Sequence, residues 1–482
     1  MIRINCVLNA LGKILLIVGV ALLLPTIWSL FEAETNTAVF LMTILICLIS
    51  GSALVFSTKG KMPIRAKEGF LIVTLSWITV SVIGALPYYI SGIFPDFASA
   101  FFEAMSGFTT TGASALADVE VVPTSFLIWR STTHWLGGLG VIVLFVAILS
   151  QADTGGLTML RAELSGPFNE KISSKVQDSA IYLWLTYTAL TTVCVILLLF
   201  GGMKFSDALC YAFGAISTGG FATLNDSVGG YHSAYIEWVI TAFMFIGGIS
   251  IPLMYKCFST HSSKTLAKNE EFRLYFFFTL IVITIVTIDL MLHTTKAFGE
   301  NLRLAAFQSV SQLTTTGFCT DDFDLWPTAS YTILICIMMI GASYSSTAGS
   351  IKMGTYLVAY KSLKAQFFRM LHPRAMMEVK VNGKTVTDNT VMKVLQFAFL
   401  FFVLTFLGTI ALSLTGLPFK EALTGSMSAI SNDGPGSGMI GPAGNYSAVT
   451  TAGKWILSTL MLLGRLEIYT VLIVFTPAFW RR

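Results

Sequence analysis

Ten stretches of this chain are apolar for long enough to cross a lipid bilayer, and that feature removes most folds from consideration. With boundaries good to a few residues they run at about 8–31, 37–57, 69–93, 125–150, 179–201, 234–256, 273–294, 328–360, 390–416 and 451–476. In hydrocarbon every backbone N–H and C=O must find a partner inside the protein, so only helices or a closed barrel can span. The runs lack the alternation of a barrel, so the spans are helices. Composition agrees: 54% of the 482 residues are hydrophobic and only 12% are charged, with a mean hydropathy of +0.74. A soluble domain of this size carries far more surface charge. The first run, Leu8 to Leu30, lacks a small-residue cleavage site and reads as a span rather than a signal peptide. The seven cysteines are scattered, mostly within apolar runs, and show neither a disulfide framework nor metal-ligand spacing.

Four half-apolar stretches lie between the spans, at about 98–108, 206–216, 300–313 and 419–430. Each is too short to cross and reads as re-entrant. The basic residues set the orientation. Lys59, Lys61, Arg65 and Lys67 flank one connection, and Arg161, Lys171 and Lys175 lie in the next but one. Lys256, Lys264, Lys268 and Arg273 follow, then Lys361, Lys364, Arg369, Arg374, Lys380 and Lys384, then Arg481 and Arg482. In a ten-span arrangement all of them share one side. The opposite side collects Glu32, Glu34, Asp96, Asp118, Glu120, Asp226, Asp321, Asp322 and Asp324. The positive-inside rule then predicts cytoplasmic termini, with all four half-length segments opening outward.

A related string follows each short segment: "FTTTGAS" at Phe108–Ser114, "ISTGGFA" at Ile216–Ala222, "LTTTGFC" at Leu313–Cys319 and "ISNDGPG" at Ile430–Gly436. Each carries a glycine in register (Gly112, Gly220, Gly317, Gly434), with an alanine 12 residues earlier (Ala100, Ala208, Ala305, Ala422). The repeat is roughly 100 residues long and reads span, half-helix, glycine string, span. One Thr-Thr-Gly is a turn or a helix cap. Four of them, each at the end of a sub-span segment and on one side, predict a pore. A cation crossing hydrocarbon must exchange its water shell for other oxygens, and neutral carbonyls can both hold it and release it. Glycine lets successive carbonyls face one axis without steric cost. Threonine and serine hydroxyls add oxygens or tie the string to its surroundings, and a half-helix aimed by its C-terminal end favours a cation.

This fourfold pattern, with one glycine per string, resembles the TrkH/KtrB/HKT superfamily of potassium transporters. "KEGFLIV" at Lys67–Val73, "WLGGLGVIVL" at Trp135–Leu144, "SSTAGSIK" at Ser345–Lys352, "GRLE" at Gly464–Glu467 and "FTPAFW" at Phe475–Trp480 narrow it to the TrkH branch. Two spans ahead of the first repeat are a further TrkH-like feature, and the resemblance covers essentially the whole chain. It implies an all-α integral membrane protein in which four span–pore-helix–span repeats surround one pseudo-fourfold pore. On this chain the extra helices would occupy 1–66 and the repeats 67–155, 156–262, 263–370 and 371–482. It also implies potassium ligands from the backbone of Thr110, Thr111 and Gly112; Thr218, Gly219 and Gly220; Thr315, Thr316 and Gly317; and Asn432, Asp433 and Gly434. In plant relatives a serine at the first glycine position goes with sodium, so Gly112 favours potassium. The fourth string departs from the family, which usually has an apolar residue at the position of Asp433. Its carboxylate either adds charge near the pore or turns away into a hydrogen-bond network.

The run Gly341 to Ser350, "GASYSSTAGS", interrupts an over-long span and is followed by Lys352. Small residues can serve helix packing, but a run of ten with nine of them small makes poor helix and leaves backbone groups that need a cavity. The resemblance implies an intramembrane loop that blocks the path beneath the filter. Its members would be Gly341, Ala342, Ser343, Ser346, Thr347, Ala348, Gly349 and Ser350, with Lys352 beside them. Arg465, inside the last span, must face a cavity or a partner. It either lies below the filter against that loop, raising the barrier to cations, or pairs with Glu103 or Glu237. Trp129, Trp135, Trp326, Trp455 and Trp480 read mostly as interfacial anchors.

The resulting expectation is potassium uptake across a bacterial inner membrane. The resemblance adds a homodimer and a TrkA-like cytoplasmic nucleotide-binding regulatory subunit, for which the basic loops, Lys361 to Lys384 above all, offer a docking surface. The chain has no Walker loop and no dinucleotide fingerprint, so nucleotide sensing falls to that partner. No nucleic-acid partner and no bound cofactor is expected; potassium is cargo. The alternative is a symporter coupling potassium to protons or sodium, for which only Glu103, Asp433 and Arg465 offer ionisable groups in the membrane. A membrane enzyme would need a catalytic cluster, and none is present in the sequence.

Overall fold

The computed structural model describes residues 2–58, 64–140, 176–372 and 377–481. Lys59, Lys61, Arg161, Lys171, Lys175, Arg374 and Arg482, all used above to orient the chain, lie outside the described residues. So does the second half of the span expected at 125–150, whose described helix is Thr124–Leu139.

Six described helices are long and apolar enough to cross a bilayer: Ile4–Phe31, Thr37–Ser57, Ala66–Ile90, Ala180–Phe200, Glu270–His293 and Asp388–Leu414. The protein is a helical, multi-pass membrane protein. Three of the remaining expected spans are not continuous helices: two bend, which corrects the sequence reading, and the third breaks where its composition interrupts it. The segment at 234–256 folds as Ala234–Gly247 and Ile251–Thr260, bent by 98°. Gly248 sits at the corner because a Cβ there would run into the Tyr275 hydroxyl, and Pro252 starts the second arm. The last span bends by 106° after Arg465, where Glu467 and Ile468 take positive φ of 51° and 57°. The segment at 328–360 is helical only over Thr328–Ile337 and again from Met353 to Leu371. Hydropathy averages over a window and cannot see a corner.

The two N-terminal spans pack closely because both are small where they cross. A Cβ on Gly12 or on Gly51 would lie 2.8 Å from the other's carbonyl oxygen. The pair docks on Ala66–Ile90, where Arg3 and Glu68 form an ion pair of 2.6 Å. A two-residue hairpin, Lys380–Val381 with Lys384–Thr385, joins helix Met353–Leu371 to Asp388–Leu414.

Four short helices occupy the interior: Phe97–Phe108, Phe205–Ser217, Phe298–Leu313 and Phe419–Ser431. They match the expected half-length segments to within a few residues. Their register alanines, Ala100, Ala208, Ala305 and Ala422, are fully buried, which is why those positions stay small. The first lies against Ala66–Ile90 and Thr124–Leu139, and also against Thr451–Arg465 from the far end of the chain. The second packs on Val176–Phe200, Ala234–Gly247 and Thr124–Leu139, and the third on Glu270–His293, Thr328–Ile337 and Ala234–Gly247. The second and third thus each meet the inner helix of the preceding repeat, and the first meets that of the last.

Trp129 is not at an interface: it is fully buried, and its Nε1 donates to Gly84 O at 3.1 Å.

Candidate functional site: four glycine strings around one axis

Each half-helix ends in the same way. The residue two before the register glycine (Thr110, Thr218, Thr315 or Asn432) takes a left-handed conformation, with φ of 55°, 52°, 54° and 56°. The next amide then reaches back five residues: Thr111 N to Ser106 O at 2.9 Å, Gly219 N to Gly214 O at 2.8 Å, Thr316 N to Ser311 O at 2.8 Å and Asp433 N to Ser428 O at 3.0 Å. This is a Schellman cap, repeated four times. It satisfies helix-end carbonyls and turns the chain into an extended string. The register glycines follow with φ of 83°, 82°, 79° and 102°, so left-handed and ordinary residues alternate along every string.

The strings touch one another in a closed circuit. A Cβ on Gly112 would strike the carbonyl oxygen of Gly219, and one on Gly220 would strike that of Thr316. One on Gly317 would strike that of Asp433, and one on Gly434 would strike that of Thr111. All four glycines line a single cavity of about 160 Å³.

The carbonyls at this centre are buried and unspent. Among the described residues no hydrogen bond ends on the main-chain oxygens of Thr110, Thr111, Thr218, Gly219, Thr315, Thr316, Asn432 or Asp433. Gly434 O differs, accepting from Ser428 Oγ and Tyr446 Oη at 2.8 Å each. Behind the strings the side chains tie them down. Thr109 and Thr111 hydroxyls pair at 2.8 Å, and Thr314 and Thr316 pair at 2.7 Å. In the second string Gly219 replaces that threonine because the buried His134 ring fills the place of a Cβ. In the fourth, the Asp433 carboxylate is fully buried, and among the described residues neither oxygen has a hydrogen-bond partner, so no network among them receives it.

Beneath the strings lies the Gly341–Ser350 loop. Its base is closed by a bridge between Ile340 and Ile351, with Gly341 N donating to Ile351 O at 2.8 Å and Met353 N to Ala342 O at 2.9 Å. The bent helix pair supplies acceptors for it: Ser343 N donates to Gly248 O at 3.0 Å, and Thr347 Oγ1 to Gly247 O at 3.1 Å. The Ser346 hydroxyl donates within the loop, to Ser343 O at 2.6 Å. The tip reaches the strings. Gly349 N donates to Thr315 Oγ1 at 2.6 Å, Thr347 Oγ1 lies 3.3 Å from Thr218 Oγ1, and a Cβ on Gly349 would strike Ser431 O. The buried Lys352 turns back to the carbonyl of Ala348, and the buried Ser350 hydroxyl has no partner among the described residues.

Arg465 joins the two layers. Its guanidinium donates to Thr110 Oγ1 at 3.0 Å, Thr347 O at 2.9 Å, Gly137 O at 2.6 Å and Gly138 O at 2.8 Å. Together with Lys352, Glu467, Ser345, Ser346 and Ala348 to Ser350 it lines a small cavity of about 40 Å³. The acids weighed as its partners are engaged elsewhere: Glu103 with Arg130 at 2.7 Å and Glu237 with Arg303 at 2.9 Å.

Two residues here had no signal in the sequence. Glu271 Oε1 accepts from Tyr344 N at 2.6 Å and from Gly354 N at 3.1 Å, stapling both arms of the loop to helix Glu270–His293. Arg130 lies behind the first two strings. A carboxylate 73 residues from the amide that donates to it leaves no spacing to read.

Comparison with known proteins agrees with this architecture. The TrkH family profile, described as cation transport protein, matches residues 36–482. The Trk system potassium uptake protein TrkH of Salmonella typhimurium and that of Escherichia coli are each 33% identical, over 99% of both chains. The TrkG protein of Escherichia coli is 32% identical over the same share. The crystal structure of the potassium transporter TrkH from Vibrio parahaemolyticus matches with a TM-score of 0.91 and 28% identity, covering 100% of each chain. With a profile that spans nearly its full length and relatives this similar from end to end, the chain belongs to the TrkH family of cation transport proteins.

Proposed function

We propose that this protein takes up potassium across a bacterial inner membrane through a filter formed by the four glycine strings. One observation carries the reading: eight buried main-chain oxygens, from strings in mutual contact, accept no hydrogen bond. A buried carbonyl without a donor costs about 1–3 kcal/mol, and a dehydrated cation supplies the missing positive partner for several at once. Thr110 to Gly112, Thr218 to Gly220, Thr315 to Gly317 and Asn432 to Gly434 coordinate the ion in passing. The relatives named for potassium uptake support that choice of cation.

The loop Gly341–Ser350 is the gate, and Arg465 holds it. A guanidinium directly below the carbonyls repels the next ion down, while its bonds to Thr347 and Thr110 couple the loop to the filter. Passage requires the loop to leave. A TrkA-like nucleotide-binding partner on the basic, cytoplasmic face drives that movement, in a homodimer with both termini cytoplasmic. The repeats divide the chain at 67, 156, 263 and 371. Of the groups a proton-coupled symporter could use, Glu103 and Arg465 are committed to fixed partners, which leaves Asp433 as the one group such coupling would have to use.

Rubidium flux into vesicles holding the purified protein tests the filter, with Gly317→Ser as comparison. A serine there must adopt a φ of 79° with its Cβ against Asp433 O, so flux and rubidium-over-sodium preference should both collapse. Equal flux and equal preference in both proteins would remove the filter from these residues.

A further inference from the structure

Behind the first and second strings lies a buried ion pair that contributes no oxygen to the carbonyl ring but borders the cavity at its mouth. Arg130 and Glu103 are 2% and 0% exposed, and Arg130 Nε donates to Glu103 Oε1 at 2.7 Å. Every remaining contact of the pair goes to chain that has just left a register glycine. On the first string, Glu103 Oε2 accepts from Ala115 N at 2.7 Å, and the Ser114 hydroxyl lies 3.1 Å from Oε1. Arg130 Nη2 donates to that same hydroxyl at 3.1 Å. On the second string, Arg130 Nη1 donates to Ala222 O at 3.2 Å. Its guanidinium also stacks 4.1 Å above the Phe221 ring, which His134 covers at 4.0 Å. One guanidinium and one carboxylate therefore join residues 114–115 to residues 221–222.

The arrangement is not fourfold. The positions nine residues before the other register glycines hold Tyr211, Gln308 and Gly425, so no other repeat has a carboxylate in this place. Isolated charges of this kind are expensive to bury, and replacing such a pair by apolar side chains often stabilises a protein. The pair is therefore poorly explained by stability. Its geometry serves position: two strings that supply half of the carbonyl ring are held at fixed separation just beyond their glycines.

From this we infer that Arg130 and Glu103 are positioning residues that set the spacing of the first two strings, and with it cation selectivity. The inference rests on the filter reading. It carries an electrostatic corollary, because Arg130 also lines the cavity with the four glycines. While paired, the two charges cancel at the mouth. Without Glu103, an uncompensated guanidinium faces the incoming cation.

The test uses the purified full chain in vesicles, with Glu103→Gln, Arg130→Gln and the double variant, reading rubidium flux against concentration and the rubidium-over-sodium ratio. Glu103→Gln should raise the half-saturating rubidium concentration by about tenfold, Arg130→Gln should not raise it, and the double variant should return it towards the parent value. All three should lower the selectivity ratio by about threefold or more. If a charged single variant fails to fold, Ser114→Ala, which removes only the shared hydroxyl, should still lower the ratio. Selectivity unchanged in Ser114→Ala and in the folded pair variants, or a loss of flux identical in all of them, would overturn the inference. Gly317→Ser run in parallel separates the two readings. A ratio moved by Gly317→Ser but by none of the pair variants sinks the clamp alone. A ratio that Gly317→Ser leaves intact sinks the filter itself.

Discussion

A glycine at positive φ can serve two different ends, and this chain contains both. Gly416 has φ of 95° with open space around its missing side chain, whereas Gly220 has φ of 82° with the Thr316 carbonyl in that space. Alanine at Gly416 should cost about 1–2 kcal/mol of backbone strain, seen as a small drop in melting temperature, with rubidium flux kept within about twofold. Alanine at Gly220 should abolish flux, because the strain is compounded by a displaced filter oxygen. Gly219 gives a sharper test, since its neighbour strings tolerate threonine at the same place. The obstacle is the His134 ring and not the backbone, so Gly219→Ala should cost about 1–3 kcal/mol of overpacking. Adding His134→Ala should recover part of that cost. A double-mutant cycle on melting temperature measures the coupling, and additive losses would show that His134 is not the cause.

The half-helices were legible in the sequence because length and repetition speak together: a segment too short to span, four times over, each followed by a glycine string. The bends were not, because Gly247–Gly248 and Leu466–Ile468 change direction without changing hydropathy. Nor were the partners of the charged side chains. Glu103 pairs with a residue 27 positions on, and Arg465 reaches back 355 positions to Thr110, so only the folded chain brings them together. The interrupted span was visible as an oddity of composition, yet what holds the loop was not. Arg465 and Glu271 hold it from opposite sides, one by the tip and one by both arms. Arg465→Ala should raise basal rubidium flux severalfold, by removing both a charge barrier and the bond to Thr347. Glu271→Ala should loosen the arms instead, with faster hydrogen exchange at the amides of Tyr344 and Gly354. Unchanged exchange at those two amides would count against the staple.

At the scale of the molecule the question is what closes a ring whose members are distant in sequence. Asn432 Nδ2 bonds Thr111 Oγ1 at 3.0 Å across 321 positions, and inner helix Thr451–Arg465 packs on the first half-helix. These contacts bring the strings together, but they also gather buried carbonyl oxygens that no hydrogen bond compensates, and that cost opposes closure. A cation of the right size at the centre reverses its sign. On the proposed filter the folded state binds the transported ion and the unfolded state does not, which would stabilise the fold by RT ln(1 + [ion]/Kd), about 2.7 kcal/mol at a hundredfold excess over Kd. Melting temperature in detergent should then rise by roughly a few degrees in potassium or rubidium chloride over N-methylglucamine chloride at equal concentration. Matched ionic strength separates this from general screening, since the large organic cation cannot enter the ring. Gly317→Ser, with its ring distorted, should lose most of the difference. An equal melting temperature in both salts, with the parent protein folded and conducting, would mean that the carbonyls are stabilised by something other than the ion they are proposed to carry.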